Sequence, residues 1–79
     1  MKGRIISLNH LPIGSAAKVK ELISDGSTRR RMLDLGLIYD TQVEAMQRSP
    51  SGDPTAYQIR GAVIALRSEE ASKILVQEV

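Results

Sequence analysis

Three consecutive arginines, Arg29–Arg31, are the residues of this chain best suited to bind an anionic group. Guanidinium groups form paired, charge-assisted hydrogen bonds with carboxylates and phosphates, so such a run can meet an acidic or phosphate-bearing partner. Arg30 or Arg31 could also be supplied to a second protein, where an arginine stabilises the charge that develops in phosphoryl transfer. The alternative is a solvated helix face, with Arg29 packing its aliphatic stem and bonding a carbonyl or an acid. The sequence leaves both interpretations open.

Other reactive residue types are scarce, which argues against catalysis. The chain has one histidine, His10, and no cysteine. A single imidazole does not make a zinc-type site, and Asp53 or the pair Glu69-Glu70 does not gather the several oxygen ligands that a hard cation needs. The chain has neither a G-x-x-x-x-G-K phosphate loop nor a G-x-S-x-G nucleophile motif. We therefore predict a protein that is not an enzyme and has no catalytic residue, metal site or cofactor.

The composition is typical of one small domain with an aliphatic core. The 79 residues include only two aromatic side chains, Tyr39 and Tyr57, and the net charge is +2 with a pI near 9.3. This balance is only mildly basic, and bases would find few aromatic partners for stacking. The apolar segment around Ile5 is too short for a signal peptide, and no apolar run approaches the roughly 20 residues of a membrane helix. We expect a soluble, cytoplasmic, single domain spanning residues 1–79.

A short amphipathic helix should carry the arginines. At about 100° per residue, Met32, Leu33 and Leu35 share one side of the helix, whereas Arg30 lies on the other. Gly36 stands where a left-handed residue ends a helix, so the helix has about two turns. We predict that the three apolar side chains plug one open end of whatever the strands build.

Alternating or apolar segments on both sides of this helix predict a mainly β protein with about five short strands. These segments are 15–23, with a bulge near Glu21, 41–48, 56–60, 62–66 and 74–79. The loop 49–54 is rich in turn formers, and Gly61 is interpreted as a bend where a curved sheet changes direction. Strands this short bury a core most economically in a small, strongly curved barrel, which the helix would cap.

The apolar segment directly after Gly36 is the predicted partner-contact patch. A strand buries only alternate side chains, so three consecutive apolar residues should leave at least one exposed, and Tyr39 is the strongest candidate. The opposing interpretation is that all three fold back as the lid of the barrel. The assignment of Met46 is undecided in the same way: it is either a core residue or part of a patch. The predicted partner-binding set is Leu37, Ile38, Tyr39, Arg30 and Arg31.

Considered together, these motifs resemble the ferrous iron transport protein A (FeoA) family over nearly the whole chain. The run Arg29–Leu37 (RRRMLDLGL) is followed by Val43, by Gly52-Asp53-Pro54 and Ile59-Arg60-Gly61, and by Ala65-Leu66-Arg67, Glu70-Ala71, Ile74 and Val76. The resemblance implies an SH3-like barrel and, for the first arginine, a structural hydrogen-bonding role. The positions matching the family's structural motif are Arg29, Leu33, Leu35, Gly36, Gly52, Asp53, Pro54 and Gly61.

The resemblance also implies a function. It is that of a small, non-catalytic cytosolic accessory or regulatory protein of a bacterial ferrous iron transporter, FeoB, whose cytosolic part carries a GTP-binding domain. Such a protein would be held at the inner membrane through the transporter, and exposed edge strands would also favour weak homo-oligomers. This chain departs from the family at Tyr39-Asp40, where Pro-Gly is usual. Because Asp tolerates unusual backbone angles, we expect the fold to be kept and the shape of this corner to change.

A different class of function is the alternative. A small basic barrel could bind nucleic acid through Arg29–Arg31, Arg48, Arg60 and Arg67, or serve as a regulatory domain related to that of iron-dependent repressors. The chain lacks the DNA-binding and dimerisation segments of those repressors, and aromatic stacking partners are nearly absent. We therefore favour the transporter accessory, with no nucleic-acid partner.

Overall fold

Six antiparallel strands form one sheet in the computed structural model, which describes residues 3–79. The strands are β1 (Ile5–Ser7), β2 (Ala16–Leu22), β3 (Gln42–Arg48), β4 (Thr55–Ile59), β5 (Ala62–Leu66) and β6 (Ile74–Glu78). The last five confirm the predicted strands to within one residue at each end. Strand β1 is additional, because three residues are too short to show an alternating pattern.

Two α-helices and one 3₁₀ turn complete the described part of the chain. Helix α1 (Gly26–Asp34) is about two turns long, as predicted, and helix α2 (Ser68–Ala71) is a single turn. The acidic residues at the start of α2 explain its position, since Glu70 Oε1 accepts a hydrogen bond of 3.0 Å from the Arg67 N–H. The 3₁₀ turn (Leu8–His10) follows β1 directly and packs against α2 and β6.

Two β-bulges bend the sheet, whose strand order is β1-β6-β2-β3-β4-β5. One interrupts the β2–β6 pairing between Val19 and Glu21, which confirms the predicted bulge. It reverses the parity of the side chains, so Leu22 is buried and Ile23 is exposed. The second interrupts β3–β4 between Ala45 and Gln47, and it leaves Met46 exposed rather than in the core.

The sheet encloses an aliphatic core, as the composition predicts. The core draws on β2, β3, β4, β5 and β6 and on the segments that cover the sheet. Tyr57 is its one aromatic member among the described residues. The largest fully buried side chains are Leu8, Leu11, Met32, Leu37, Ile59, Leu66, Ile74, Val19, Val43 and Val76.

Helix α1 ends in a Schellman motif centred on Gly36. Its backbone is left-handed (φ 99°), its N–H donates to the Leu33 carbonyl, and the Leu37 N–H donates to the Met32 carbonyl five residues earlier. In this motif the residue after the glycine commonly makes an apolar contact with the residue whose carbonyl accepts its hydrogen bond. Leu37 and Met32 are accordingly both members of the core.

This helix end corrects two predictions about which residues are buried. Leu37 was predicted to be part of the exposed contact patch, but it is 0% exposed. Leu33 was predicted to plug the barrel, but it is 39% exposed, and Leu35 only packs against the rim of the core. The plug therefore consists of Met32 and Leu37, because the Schellman motif folds the chain after Gly36 back under the helix.

The interpretation of Gly61 as a bend where a curved sheet changes direction is wrong. Arg60 (φ 52°) and Gly61 (φ 83°) form a tight two-residue turn, and Ile59 pairs directly with Ala62. Two consecutive residues with positive φ are the signature of a type I′ hairpin. Strands β4 and β5 are therefore the two arms of one hairpin.

The Gly52-Asp53-Pro54 motif ties the β3–β4 loop to the start of α2. Asp53 Oδ1 accepts a hydrogen bond of 2.7 Å from the Ser68 N–H, and Oδ2 lies 3.9 Å from an Arg67 nitrogen. Gly52 adopts a positive φ of 93° and donates its N–H to the Ser49 carbonyl. These contacts support a structural role for the motif.

Truncating the buried and exposed leucines on either side of Gly36 tests the revised core. Leu37→Ala should lower the free energy of unfolding by about 2–5 kcal/mol, because it removes a fully buried side chain and leaves a cavity. The matched variant Leu33→Ala should cost less than about 1 kcal/mol, because that side chain is already partly solvated. Urea denaturation measures both values. Equal unfolding midpoints for the two variants would contradict the assignment.

Candidate functional site

The chain reverses direction at a four-residue corner, Ile38–Thr41, that follows the buried Leu37. The Thr41 N–H donates to the Ile38 carbonyl at 3.1 Å, and Asp40, the third residue, has a φ of 69°. This is the pattern of a type II turn, which favours Pro at its second position and Gly at its third. The usual Pro-Gly of the resembled family suits these two positions. Asp40 occupies the third position because Asp tolerates the left-handed region better than most residues, as expected from the sequence.

Backbone hydrogen bonds hold the corner against strand β2. The Asp40 N–H donates to the Val19 carbonyl at 2.6 Å, and the Val19 N–H donates to the Thr41 carbonyl at 2.9 Å. Both bonds involve one residue of β2, so the corner's position relative to the sheet is fixed. The next residue of the strand, Lys20, then lies beside the side chains of the corner.

Lys20 joins the two residues that distinguish this corner. Its Nζ donates a hydrogen bond of 2.9 Å to Asp40 Oδ1 and lies 4.9 Å from the centre of the Tyr39 ring, within the range of a cation–π interaction. Tyr39 is nevertheless 70% exposed, which confirms the prediction that at least one residue of its apolar run is exposed, with Tyr39 the strongest candidate. The cluster thus holds an aromatic ring in place while leaving it open to a partner.

The same ion pair governs the titration of both charged groups. The hydrogen bond from Lys20 lowers the pKa of Asp40 below its ordinary value, and the charges of Lys20 and Lys18 act in the same direction. The hydrogen bond to Asp40 raises the pKa of Lys20, although partial burial opposes it. The pair is therefore charged on both sides throughout the neutral pH range.

A shallow groove of about 250 Å³ lies between α1 and β2, next to the corner. We call it the α1–β2 groove. Its walls combine apolar side chains with the cations Lys20 and Arg29 and one acid, Glu21. The lining residues are Val19, Lys20, Glu21, Leu22, Arg29, Leu33, Leu37 and Tyr39.

Of the three arginines, Arg29 braces the wall of this groove. Its Nη1 donates a hydrogen bond of 3.1 Å to the Leu22 carbonyl at the end of β2. The sequence analysis offers a structural role for Arg29, in which it bonds a carbonyl or an acid, and this bond to a carbonyl agrees with that role. It links α1 to the sheet across the floor of the groove and leaves the other guanidinium N–H groups available to an acceptor.

Arg30 and Arg31 differ in their surroundings, although they are neighbours in sequence. Arg31 forms an ion pair with Glu70 of α2, so its charge is engaged within the chain. Arg30 is exposed and lines a second hollow of about 390 Å³, which adjoins the groove through Arg29 and Leu33. Of the pair, Arg30 is the one open to a partner in the described part of the chain.

The predicted partner-binding set is thus only partly brought together. Tyr39 lines the groove, Ile38 is 42% exposed in the same corner, and Leu37 forms the buried base. Lys20 and Leu33 are groove residues that the sequence reasoning did not include. Leu33 was assigned to the core by its helical angle, and nothing local in the sequence links Lys20 to a residue twenty positions later.

The arginines considered for nucleic-acid binding come from four separate parts of the chain: α1, β3, the β4–β5 turn and the start of α2. Two of them are engaged with acids, Arg31 with Glu70 and Arg67 with Asp53. Arg48 lines a different cavity, of about 620 Å³, together with His10 and Tyr57. The Tyr57 hydroxyl donates to the Leu8 carbonyl at 3.5 Å, and burial raises its pKa.

Across residues 3–79, no three His, Asp or Glu side chains gather as a metal site would require. Over the same range, neither helix has the length and apolar character needed to cross a membrane.

Comparison with known proteins identifies similar chains. Residues 6–78 match the model of the FeoA domain. Among curated proteins, the chain is 31% identical over 70 residues to the Fe(2+) transport protein A/Fe(2+) transporter FeoB fusion protein of Porphyromonas gingivalis. The match covers 89% of this chain but only 8% of that protein.

Solved structures agree with this match. The FeoA-like protein of Clostridium acetobutylicum is 35% identical, with a TM-score of 0.87 over 100% of this chain and 90% of that one. The FeoA of Stenotrophomonas maltophilia, solved with zinc and described as a prokaryotic SH3 domain protein, is 28% identical, with a TM-score of 0.77 over 90% of this chain and 88% of that one. The six-stranded antiparallel architecture is thus SH3-like, as predicted.

A similar domain also occurs in a manganese-dependent transcriptional repressor. The TM-score is 0.86 over 100% of this chain and 44% of that one, at 19% sequence identity. At this level of identity the likeness shows the fold alone.

The pKa of Asp40 tests the Lys20–Asp40 pair directly. In the folded protein Asp40 should titrate below the value of about 3.9 found for an unperturbed Asp, and Lys20→Met should move its pKa back up towards that value. The matched variant Lys18→Met should produce a smaller change, because Lys18 acts only through its charge. Carbon-13 NMR of the carboxyl group measures all three values. An Asp40 pKa that does not respond to Lys20→Met would rule out the pair in solution.

Proposed function

Because the chain belongs to the FeoA domain family, we propose that it is a non-catalytic accessory protein of a ferrous iron transporter of the FeoB type. It acts by contact with the transporter's cytosolic region and is held at the inner membrane through it. The observation that supports this most directly is the fusion protein of Porphyromonas gingivalis, in which a similar domain and FeoB form one chain. Fusion raises the effective concentration of one partner at the other, an arrangement that benefits two domains that bind each other.

The α1–β2 groove is the surface we assign to this contact. It offers what protein interfaces favour, an exposed aromatic side chain beside apolar surface, together with an arginine. Tyr39 and Leu33 both line the groove, and the Tyr39 ring lies 4.9 Å from Lys20 Nζ. A side chain that is already positioned loses less conformational entropy on binding.

Charge defines the kind of segment that fits. Lys20 is neutralised by Asp40, whereas Arg29 bonds only a carbonyl and Arg30 has no acidic partner among residues 3–79. The complementary segment of the transporter therefore presents an apolar side chain to the groove and a carboxylate to the arginines. Iron is the cargo of the transporter in this proposal, and the accessory protein does not need to hold it.

Removing the exposed ring should weaken the complex without unfolding the protein. We expect Tyr39→Ala to reduce affinity for the cytosolic region of the FeoB transporter of the same organism by roughly tenfold, about 1.4 kcal/mol, as for a moderate interface anchor. Ile13→Ala, which truncates an exposed apolar residue outside the groove, is the matched control and should bind as the wild type does. Isothermal titration calorimetry gives both affinities, and thermal melting checks that both variants fold. The proposal fails if the wild-type chain binds neither the cytosolic region nor the full-length transporter.

The two neighbouring arginines give a second, electrostatic test. Arg30→Ala should slow association with the same cytosolic region and make it less dependent on salt, because an exposed charge at an interface acts mainly on the rate of encounter. Arg31→Ala should leave the association rate nearly unchanged, since the Arg31 charge is already engaged with Glu70. Stopped-flow measurements at several salt concentrations distinguish the two. Equal effects of both variants would place the contact elsewhere.

A further inference from the structure

Strand β5 is an open edge of the sheet that carries none of the usual protections. It pairs with β4 alone, over five unbroken pairs, and its sequence Ala62-Val63-Ile64-Ala65-Leu66 contains no charge, no proline and no bulge. Val63 is 61% exposed on this edge. Monomeric proteins normally blunt such an edge with lysine, proline, a bulge or a covering segment, because an open edge is a template for another strand.

The hairpin geometry determines which backbone groups of β5 are open. In a two-residue hairpin the closing pair, here Ile59 and Ala62, exchanges both of its hydrogen bonds. Bonded pairs then alternate, so Ala62, Ile64 and Leu66 direct their backbone groups towards β4. Val63 and Ala65 direct theirs away from it, and neither takes part in any other backbone bond of the described residues.

We propose that this edge binds a second copy of the chain, β5 against β5 in antiparallel orientation around a two-fold axis at Ile64. Val63 of each copy then lies opposite Ala65 of the other, and these open residues exchange four backbone hydrogen bonds. The two Ile64 residues face each other as a non-bonded pair. The pairing is complete within the five residues of β5, so the dimer does not require a longer strand.

Neighbouring registers are blocked by groups already in use. Placing Ala65 opposite Ala65 would require the Arg67 N–H as a donor, but it is bonded to Glu70 Oε1 at 3.0 Å. Placing Val63 opposite Val63 would bring Gly61 into the ladder, and its φ of 83° belongs to the hairpin turn rather than to a strand. The register centred on Ile64 is therefore the one in which all participating residues are extended and free to pair.

Side chains and charges favour the same arrangement. Every cross-strand pair within the shared ladder is apolar, so no charge is buried or opposed. The antiparallel arrangement also brings Arg60, at the hairpin end of one copy, towards the exposed Glu69 that follows β5 in the other. The net charge of +2 gives little repulsion between copies.

The small contact sets the strength of the association. Two five-residue strands bury much less than the roughly 800 Å² per partner of a standard stable complex. The dimer should therefore dissociate at low concentration and form reversibly as the concentration rises. This surface shares no residue with the α1–β2 groove, so its test is independent of transporter binding.

A proline substitution at the open edge tests the pairing. In sedimentation equilibrium between about 10 µM and about 1 mM, wild-type protein should shift from monomer to dimer. Ala65→Pro should remain monomeric, because proline removes an N–H that points outward and leaves the bonds to β4 intact. The control Ala65→Ser keeps the N–H and should dimerise as the wild type does. A wild-type chain that stays monomeric to the highest concentration overturns the proposal, as does undiminished dimerisation of a folded Ala65→Pro variant.

Disulfide trapping tests the register, because the chain has no cysteine of its own. In the proposed dimer the side chains at position 64 face each other at about 4.5–5.5 Å between Cβ atoms, whereas those at position 63 are diagonal and about 7–8 Å apart. Mild oxidation should therefore link Ile64→Cys into a covalent dimer at least tenfold faster than Val63→Cys. Val63 is the more exposed position, so random collisions would give the opposite order. Faster linking at position 63, or none at either, would contradict the register.

Discussion

The left-handed backbone at Gly36 is the constraint on which both the core and the candidate site depend. A side chain here is disfavoured by the φ of 99°, and a Cβ atom would also require the flexible Arg60 side chain, whose Cδ would lie 2.9 Å away, to shift. With glycine, the helix can end in a Schellman motif and send Leu37 into the core. The chain then emerges at Ile38 already directed towards β2. Without this reversal, the corner could not reach Val19, and the groove would have no wall on that side.

The corner shows how a turn can be kept while its sequence is changed. A Pro-Gly pair stabilises a type II turn through the backbone, because proline restricts φ and glycine accepts the left-handed region. Tyr39 and Asp40 lack these preferences, and Asp40 adopts its φ of 69° at some conformational cost. Contacts from the sheet offset that cost: two backbone hydrogen bonds to Val19 and the ion pair with Lys20. Of these contacts, the ion pair with Lys20 is the one that requires the Asp40 side chain.

The sequence predicts this fold well where its signals are local. Alternation locates five strands to within a residue, and the parity break at Leu22 is enough to predict the bulge. Leu33 is misassigned because a helical wheel records the angle of a side chain and not what covers it. Leu37 is misassigned because a strand is assumed directly after Gly36, where the chain instead folds back under the helix. The hydrophobic contact of a Schellman motif does predict a buried residue after Gly36, but only if the glycine is recognised as part of that motif. The Gly61 hairpin has a weaker signal, since Arg60 is an unusual residue for a positive φ.

The candidate site is harder to predict because its residues meet only in the folded chain. Lys20 and Asp40 are twenty positions apart, and their contact follows from the pairing of Val19 with the corner. Tyr39 is different, since strand alternation predicts that at least one of three successive apolar residues is exposed, although the segment is a turn in the structure. The arginines are intermediate: their types suggest anion binding, but only the positions of Leu22 and Glu70 show which charges are already engaged.

The Tyr39-Asp40 corner also gives the proposed contact surface a dependence on charge. Because the folded-state pKa of Asp40 is lowered, the contribution of its ion pair is present above about pH 4 and is lost as the pH falls through that lowered pKa. Because the pKa of Lys20 is raised, the same contribution is present below about pH 10.4 and is lost as the pH rises through the raised value. Between these limits the Lys20 ammonium group contacts the Tyr39 ring, and the Asp40 carboxylate neutralises its charge. A Pro-Gly corner has no carboxylate, so it cannot form this ion pair. The chain therefore combines the common fold of its family with a proposed contact surface in which one exposed ion pair adds to the backbone hydrogen bonds that hold the corner.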